Sequence, residues 1–190
     1  MPHFLSSTQI NEIISSLPLA DGKTQTNAAE RQAQLTKPMG SLGRLEGVAI
    51  WMAGWQRRER PSIDHGQCIV FAGNHGVTKQ GISPFPAEVT AQMVANFKAG
   101  GAAINQLCEL ADLKLDVIPL DLEHPTNDLS LGPAMTENEV IAAMNIGADA
   151  LDAECDYLIV GEMGIGNTTS AAAICLGRFG ADAADWAGPG

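Results

Sequence analysis

Aromatic side chains are scarce in this sequence, which has one tyrosine, three tryptophans and five phenylalanines among 190 residues. Hydrophobic residues nevertheless make up 45% of the chain, and 20 residues are glycine. Such a chain can bury a substantial core, which excludes an intrinsically disordered protein. Its abundance of small side chains favours close packing of helices against a sheet over an all-β sandwich.

Basic residues are nearly absent from the second half of the chain. Residues 1–100 carry 7 acidic and 9 basic side chains, whereas residues 101–190 carry 15 acidic side chains and only two basic ones, Lys114 and Arg178. The net charge of −11 would repel nucleic acids and anionic membrane surfaces, so neither is expected as a partner. A substrate that carries a phosphate would find few cations in the second half.

The four cysteines form no CxxC pair and no spacing typical of a metal site. We interpret Cys68, Cys108, Cys155 and Cys175 as buried free thiols of a reducing compartment. The first 20 residues lack the basic and apolar regions of a signal peptide. No apolar run approaches the roughly 20 residues that span a bilayer. The sequence therefore predicts a soluble, cytoplasmic protein without a metal.

The first 60 residues are predicted to be helical. Apolar spacing predicts a helix over 10–17, a second helix runs from a cap at Asn27 to Leu35, and a third covers 45–59. Residues 37–44, with one proline and two glycines, indicate an ordered turn. The arginines at 57, 58 and 60 are either solvated charges at a helix end or an anion site. The apolar stripe of the third helix comprises Leu45, Val48, Ala49, Met52 and Trp55.

Strand and helix patterns alternate from residue 67 onwards. Strands are predicted over 68–72, 115–120 and 157–160, and helices over 86–98, 102–111, 136–153 and 167–180. This order predicts an α/β fold, a Rossmann-like parallel sheet with helices on both faces. We assign residues 1–60 to a small helical subdomain and 61–190 to an incomplete α/β domain.

Ligands bind beyond the carboxyl ends of parallel strands, so the residues after each strand are candidates for a site. The first strand is followed by Asn74 and His75 between glycines. His75 could act as a general base or as a hydrogen-bonding scaffold. Further along, Ser83 and Phe85 could line a wall for an aromatic ligand or simply pack their loop.

The other two strand ends differ in character. Asp121, Glu123 and His124 follow the second strand, where solvated or capping side chains are a better interpretation than metal ligands. The third strand leads into GEMGIGNTTS at 161–170, with Glu162 at the strand exit and a helix N-terminus that favours anions. The glycine spacing fits neither a Walker A loop nor GxGxxG. An active-site loop and a tight structural turn both remain possible interpretations.

Three motifs together resemble one enzyme family. KPMGSLGRLE at 37–46, NHGV at 74–77 and GEMGIGNTT at 161–169 occur in the order and at the approximate separations of the nicotinate-nucleotide–dimethylbenzimidazole phosphoribosyltransferases. The similarity runs from about residue 10 to residue 190, and the combination is far more specific than any one motif.

This resemblance implies a reaction and a set of binding residues. The family transfers the phosphoribosyl group of nicotinate mononucleotide to 5,6-dimethylbenzimidazole, which yields α-ribazole 5′-phosphate and nicotinate for the lower ligand of cobalamin. The resemblance implies no metal or organic cofactor, and a homodimer. Many relatives have aspartate where Asn74 stands. The implied substrate-binding positions are Ser83, Phe85, Gln92 and Met93 for the base, Glu162, Met163 and Gly164 for the nicotinate and the reacting centre, Asn167 and Thr168 in the same loop, Gly188 and Gly190 for the phosphate, and Asn74 and His75 at the first strand end.

The resemblance also implies that the main catalytic glutamate of the family, and a lysine near the phosphate, lie beyond Gly190. A sheet that ends after three strands would expose apolar surface, so we expect either extensive self-association or a piece of a longer protein. We expect the chain alone to have no transferase activity. Glu162 then faces the substrate without being the principal base. Two alternatives are a non-catalytic module that binds an aromatic base or nucleotide, and an unrelated nucleotide-binding α/β enzyme.

Overall fold

A computed structural model describes residues 3–188, which contain eight α-helices and one three-stranded sheet. Residues Thr8–His65 form one compact unit, and the other described residues form a second. The division of the chain at residue 60 stays a prediction of domain organisation. No helix among residues 3–188 is long and apolar enough to cross a membrane. The helices are α1 Ser7–Ser15, α2 Gly22–Gln34, α3 Arg44–Gln56, α4 Glu88–Lys98, α5 Ala103–Leu110, α6 Glu137–Ala150, α7 Asn167–Phe179 and α8 Ala183–Trp186; the strands are β1 Gly66–Ala72, β2 Lys114–Pro119 and β3 Tyr157–Met163.

The sheet is parallel, in the order β2-β1-β3, which confirms the predicted α/β architecture. β1 lies in the centre, and its residues Cys68 and Ile69 are almost fully buried. In the register of the sheet, Ala72 lies opposite Pro119 on one side and Met163 on the other. The carboxyl ends of all three strands therefore meet at one edge, as the alternating pattern predicts.

The third strand is longer than its apolar run. It continues through Gly161, Glu162 and Met163, which pair with the last residues of β1. Its side chains Leu158, Ile159 and Val160 are exposed, whereas the corresponding part of the other edge strand, β2, is partly buried. The exposed apolar surface expected from the sequence is thus present along this strand.

Helix α6 begins as its capping box predicts. The backbone N–H of Thr136 donates to Glu139 Oε2 at 2.6 Å, and the N–H of Glu139 donates back to Thr136 Oγ1 at 3.3 Å. The cap predicted for α2 is wrong, however. That helix starts at Gly22, five residues before Asn27, because the carboxylate of Asp21 accepts the N–H of Thr24 at 2.7 Å.

The predicted apolar stripe of α3 does not form its buried face. The residues of α3 that are buried are Ala53 and Gly54, and a side chain on Gly54 would collide with Gln25 of α2. These small residues let α2 and α3 approach closely, so the bulkier side chains remain at the periphery. Trp51 and Trp55 keep 59% and 50% of their surface exposed.

The turn before α3 is ordered, as its composition predicts. Gly40 and Gly43 both have positive φ angles, of 71° and 54°. The amine of Lys37 lies 2.6 Å from Glu46 Oε1, and the N–H of Leu42 donates to the same oxygen at 3.3 Å. These hydrogen bonds, with that of Lys37 the larger influence, hold the pKa of Glu46 below its usual value.

Candidate functional site

The edge where the three strands end carries the candidate site. Hydrogen bonds continue the sheet one step past the strands: the N–H of Gly73 donates to Met163 O at 3.0 Å, and that of Leu120 donates to Ala72 O at 2.7 Å. The segment after β1 therefore lies directly beside the segment after β3. The sequence predicts both segments as ligand-binding candidates, and the fold brings them together.

Gly164 makes the closest approach between these two segments. A Cβ atom at this position would overlap the carbonyl oxygen of Gly73 and would lie 3.3 Å from His75 Nε2. The residue is also buried. Only glycine lets the two backbones approach this closely, so the glycine is required by packing whatever ligand binds here.

The rest of the loop is anchored to the segment between β1 and α4. Gly166 has a φ of 87°, and a Cβ there would lie 2.9 Å from Thr78 Cγ2 of the 3₁₀ helix Gly76–Gln80. The buried N–H of Ile165 donates to Thr90 Oγ1 of α4 at 3.1 Å. The loop is therefore held in one conformation by contacts on both sides.

Glu162 and Asn167 form a pair across the loop. The side-chain amide of Asn167 donates to Glu162 Oε2, and its own Oδ1 accepts the N–H of Thr168 at 2.8 Å. The backbone N–H of Asn167 donates to Gly164 O at 3.0 Å. The first two N–H groups of α7 are thus already bonded within the loop, so an anion bound here would rely on other donors.

His75 lies between this loop and α7. Its Nδ1 is 3.1 Å from the hydroxyl of Ser170, and the ring is partly buried. Burial lowers the pKa of His75 below its usual value, and the nearby negative charge of Glu162 opposes that shift only in part. The imidazole is therefore held largely neutral at pH 7.

Asn74 faces the segment after β2. Its side-chain Nδ2 donates to Leu122 O at 2.9 Å, and its backbone oxygen accepts the N–H of Thr126 at 3.2 Å. The side-chain Oδ1 is buried without a hydrogen-bond partner. In this conformation Asn74 braces the two strand exits against each other, and its predicted contact with a substrate stays a prediction.

The residues predicted to hold the base lie on the segment leading into α4 and on that helix. The hydroxyl of Ser83 accepts the N–H of Phe85 at 3.2 Å, and Phe85 keeps 61% of its surface exposed. Gln92 is exposed and Met93 is half-buried on α4. Because Thr90 of the same helix bonds to Ile165, this region is anchored to the loop after β3.

The predicted phosphate glycines are not joined to this site by the contacts in residues 3–188. Gly188 is exposed after α8, and a Cβ there would meet no atom within 4 Å. Gly190 lies outside the described residues. Both assignments stay predictions.

The acidic segment after β2 lines a surface cavity of about 680 Å³, which also includes Lys79 and Asp128. His124 Nδ1 lies 2.8 Å from Asp121 Oδ1. Within residues 3–188, no three histidine, cysteine or acidic side chains cluster to suit a metal ion. None of the predicted substrate-binding residues within 3–188 lines this cavity.

Sequence reasoning missed two residues that shape the site, Ser170 and Thr90. Ser170 closes the GEMGIGNTTS motif, but its partner His75 is 95 residues away in the sequence. Thr90 is a polar residue on the buried face of α4, and such a residue signals a hydrogen bond to some distant group. Neither partner could be identified from spacing alone.

Comparisons with known proteins agree on one family. A family model described as "Phosphoribosyltransferase" matches residues 17–190. The nicotinate-nucleotide–dimethylbenzimidazole phosphoribosyltransferase of Ruegeria sp. (strain TM1040) is 52% identical over 190 residues, which is 100% of this chain and 56% of the relative. The enzyme of the same name from Roseobacter denitrificans is 56% identical over 187 residues, or 98% of this chain and 56% of the relative.

Solved structures of this kind share the fold. A crystal structure of the Thermus thermophilus phosphoribosyltransferase of that name is 37% identical, with a TM-score of 0.73, over 84% of this chain and 54% of the solved chain. The chain thus spans about half the length of the relatives it matches.

Proposed function

Because the chain belongs to the nicotinate-nucleotide–dimethylbenzimidazole phosphoribosyltransferase family, we propose that it supplies one wall of a site that moves a phosphoribosyl group between two aromatic bases. The donor is nicotinate mononucleotide and the acceptor is 5,6-dimethylbenzimidazole, and the products are nicotinate and α-ribazole 5′-phosphate. The observation that carries this proposal is the position of the loop after β3, which packs against His75 at the carboxyl edge of the sheet.

The reaction exchanges one carbon–nitrogen bond for another. A ring nitrogen of the benzimidazole attacks the anomeric carbon from the face opposite nicotinate, and the bond from that carbon to the nicotinate nitrogen breaks. Nicotinate leaves with the electron pair of that bond, and the benzimidazole loses its N–H proton to a carboxylate base. Positioning supplies much of the acceleration, because the ribosyl–pyridinium bond is already activated.

The loop after β3 has a positioning role in this proposal. Glu162 is fixed by its hydrogen bond from Asn167 and does not serve as the principal base. Met163 and Gly164 line the nicotinate side, where the glycine lets the backbone pass close to Gly73 and His75. The resemblance puts the principal base in the part of the relatives that this chain does not cover.

The chain alone is expected to bind 5,6-dimethylbenzimidazole weakly, with a dissociation constant on the order of millimolar. The exposed ring of Phe85 offers a stacking surface, and the backbone N–H of Phe85 is bonded to the hydroxyl of Ser83. Phe85→Ala should weaken binding about fivefold, the usual contribution of one aromatic contact. Isothermal titration calorimetry measures both values.

Phe179→Ala is the matched control, since Phe179 is also largely exposed, at 68%, but belongs to the end of α7 and not to the segment that leads into α4. That variant should bind as the wild-type chain does. An absence of binding heat at millimolar ligand, or an equal loss in both variants, would contradict the assignment of the base to residues 83–93.

We also propose that the chain pairs with a second copy through α3. Trp51 and Trp55 lie with ring centroids 6.3 Å apart on a face that also exposes Leu45 and Val48. Exposed apolar patches of this kind mark interaction surfaces. Sedimentation velocity at micromolar concentration should show a dimer, and replacing both tryptophans by glutamate should yield monomers.

Leu110→Glu provides the control for this surface, because Leu110 is 86% exposed at the end of α5 in the other compact unit. The variant should remain dimeric. A wild-type chain that sediments as a monomer would rule out the pairing.

A cytoplasmic location completes the proposal, and it is supported by free thiols at all four cysteines.

A non-catalytic module that binds an aromatic base is the competing function. The observation behind it is that the chain covers only 56% of the Ruegeria relative. Both functions predict binding of the benzimidazole. Release of nicotinate from nicotinate mononucleotide, measured on this chain joined to the uncovered part of a relative, separates them because only the transferase breaks that bond.

A further inference from the structure

We propose that the free side of β3 and the exposed apolar side chains of α7 form a docking surface for a second polypeptide, which corresponds to the part of the relatives that this chain does not cover. That polypeptide would add a strand beside β3 and cover both faces of it. The inference rests on the family relationship and on the sheet, and it does not depend on the chemistry of the proposed function. The surface, named the β3 edge, comprises Leu158, Ile159, Val160, Ile174 and Phe179.

Strand β3 is exposed on both of its faces. Successive side chains of a strand point to opposite faces, so Leu158 and Val160 lie on one face and Ile159 lies on the other. All three are exposed, and Val160 keeps 66% of its surface accessible. The strands of parallel sheets normally have helices over both faces. β3 therefore has the composition of an interior strand, although it lies at the edge of the described sheet.

The opposite edge strand, β2, has the features that protect a natural edge. The side chains of Lys114 and Asp116 form an ion pair at 3.1 Å, and the strand ends at Pro119, which lacks a backbone N–H. Charged residues and proline on an edge strand discourage pairing with a further strand. In β3 the first charged residue is Glu162, which follows the apolar run. β2 is therefore suited to solvent, whereas β3 is suited to a partner strand.

The helices before and after β3 are themselves poorly covered. Within residues 3–188, neither α6 nor α7 has a fully buried residue. Ile174 and Phe179 of α7 are both largely exposed. In α/β proteins, the helix after a strand crosses over to a neighbouring parallel strand and packs against the sheet. A strand added beside β3 would give α7 the surface on which such a helix packs.

The length of the relatives identifies the partner. The chain covers 56% of the Ruegeria relative and 54% of the solved Thermus thermophilus chain. A sheet of three strands is also small, since sheets usually contain about five or six strands. The uncovered part of the relatives is long enough to supply further strands and helices. Because β2 is a protected edge, the sheet can grow at β3.

A second copy of this chain is a poor occupant of the β3 edge because of its charge. Residues 101–190, which include β3 and α7, carry 15 acidic side chains and two basic ones. One of the two, Lys114, lies on β2 at the opposite edge of the sheet. Pairing two copies through β3 would bring two such acidic regions together, and like charges repel. The pairing proposed for α3 concerns a different surface, in the other compact unit.

Co-expression of the tagged 190-residue chain with the uncovered part of the Ruegeria relative, as two separate polypeptides, tests the docking. The soluble tagged chain should carry the second polypeptide in an equimolar complex. Hydrogen exchange followed by mass spectrometry should show that the amides of β3 exchange at least about tenfold more slowly in the complex than in the chain alone. The amides of β2 should change little.

Val160→Lys introduces a charge on β3 and should leave the chain alone folded, because this side chain is already exposed. It should weaken the complex at least about tenfold, the usual effect of losing one buried apolar side chain. Leu110→Lys is the matched control, since it introduces the same charge at a side chain that is 86% exposed on α5, the helix before β2. This control should bind as the wild-type chain does, and circular dichroism checks that both variants fold.

Recovery of the tagged chain without the second polypeptide would overturn the proposal, and so would protection that appears on β2 instead of β3. The exchange measurement needs no variant, so a folding defect in Val160→Lys cannot obscure its result. Protection of β3 in the chain alone as its concentration rises would identify a second copy as the occupant and would also overturn the proposal. A complex that forms but makes no α-ribazole 5′-phosphate would support the docking and count against the proposed function.

Discussion

Gly164→Ala is expected to lower the free energy of unfolding by about 3 kcal/mol, at the upper end of what overpacking a closely packed site usually costs. The added methyl group would overlap the carbonyl oxygen of Gly73, which belongs to backbone and cannot rotate away as a side chain could. Gly73 is itself tied to the neighbouring strand by the bond from its N–H to Met163 O. The methyl group can therefore be accommodated only if the two strand exits separate.

Urea unfolding followed by circular dichroism measures this loss, and Gly161→Ala is the matched control. Gly161 lies three residues earlier in β3, and a Cβ there would make an ordinary contact 3.4 Å from Val70 Cγ2. The control should change stability by less than about 1 kcal/mol, the usual scale of a glycine-to-alanine exchange in an element. Equal stabilities of the two variants would show that the strand exits separate without penalty.

The sheet could be predicted because its strands are short apolar runs separated by helical patterns. A buried strand such as β1 needs apolar residues on both faces, and parallel pairing brings every strand's carboxyl end to one edge. The capping box at Thr136 and Glu139 likewise depends only on residues three positions apart. The sequence contains all the information that such local patterns require, so these features could be predicted from it.

The helical segment shows where local rules fail. The stripe of bulky residues on α3 predicts a buried face, yet α2 and α3 meet through Ala53 and Gly54. Close approach of two helices depends on the smallest side chains of both. The hydrophobic pattern of one helix does not show where that close contact forms. The start of α2 is a different case, because the Asp21 cap is a local contact with Thr24 that lies upstream of the predicted cap at Asn27.

The candidate site, too, could be predicted only in part from the sequence. The glycines and Glu162 of the loop after β3 stand out in the sequence because their spacing is unusual. The contacts of His75 with Ser170 and of Thr90 with Ile165 join residues 95 and 75 positions apart. Such pairs follow from the register of the sheet and the packing of α4, so only the folded chain reveals them.

The 190-residue chain by itself is expected to form no α-ribazole 5′-phosphate from nicotinate mononucleotide and 5,6-dimethylbenzimidazole. It spans 56% of the Ruegeria relative, and the resemblance puts the principal base in the remaining part. Residues 101–190 also offer only Lys114 and Arg178 to a substrate phosphate. Chromatographic detection of α-ribazole phosphate and of free nicotinate at saturating substrate checks this expectation.

A chimera that joins this chain to the uncovered part of the Ruegeria relative is the decisive comparison, because the two chains are 52% identical over all 190 residues. The chimera should convert the two substrates to product. That result would show that the short chain is inactive because groups are missing and not because its loop is defective. Glu162→Gln in the chimera should then lower turnover by roughly tenfold to a hundredfold, as expected for losing one charged hydrogen-bonding group at the substrate. Turnover by the short chain alone, at the rate of the chimera, would show instead that the loop after β3 and its neighbours contain every group the reaction needs.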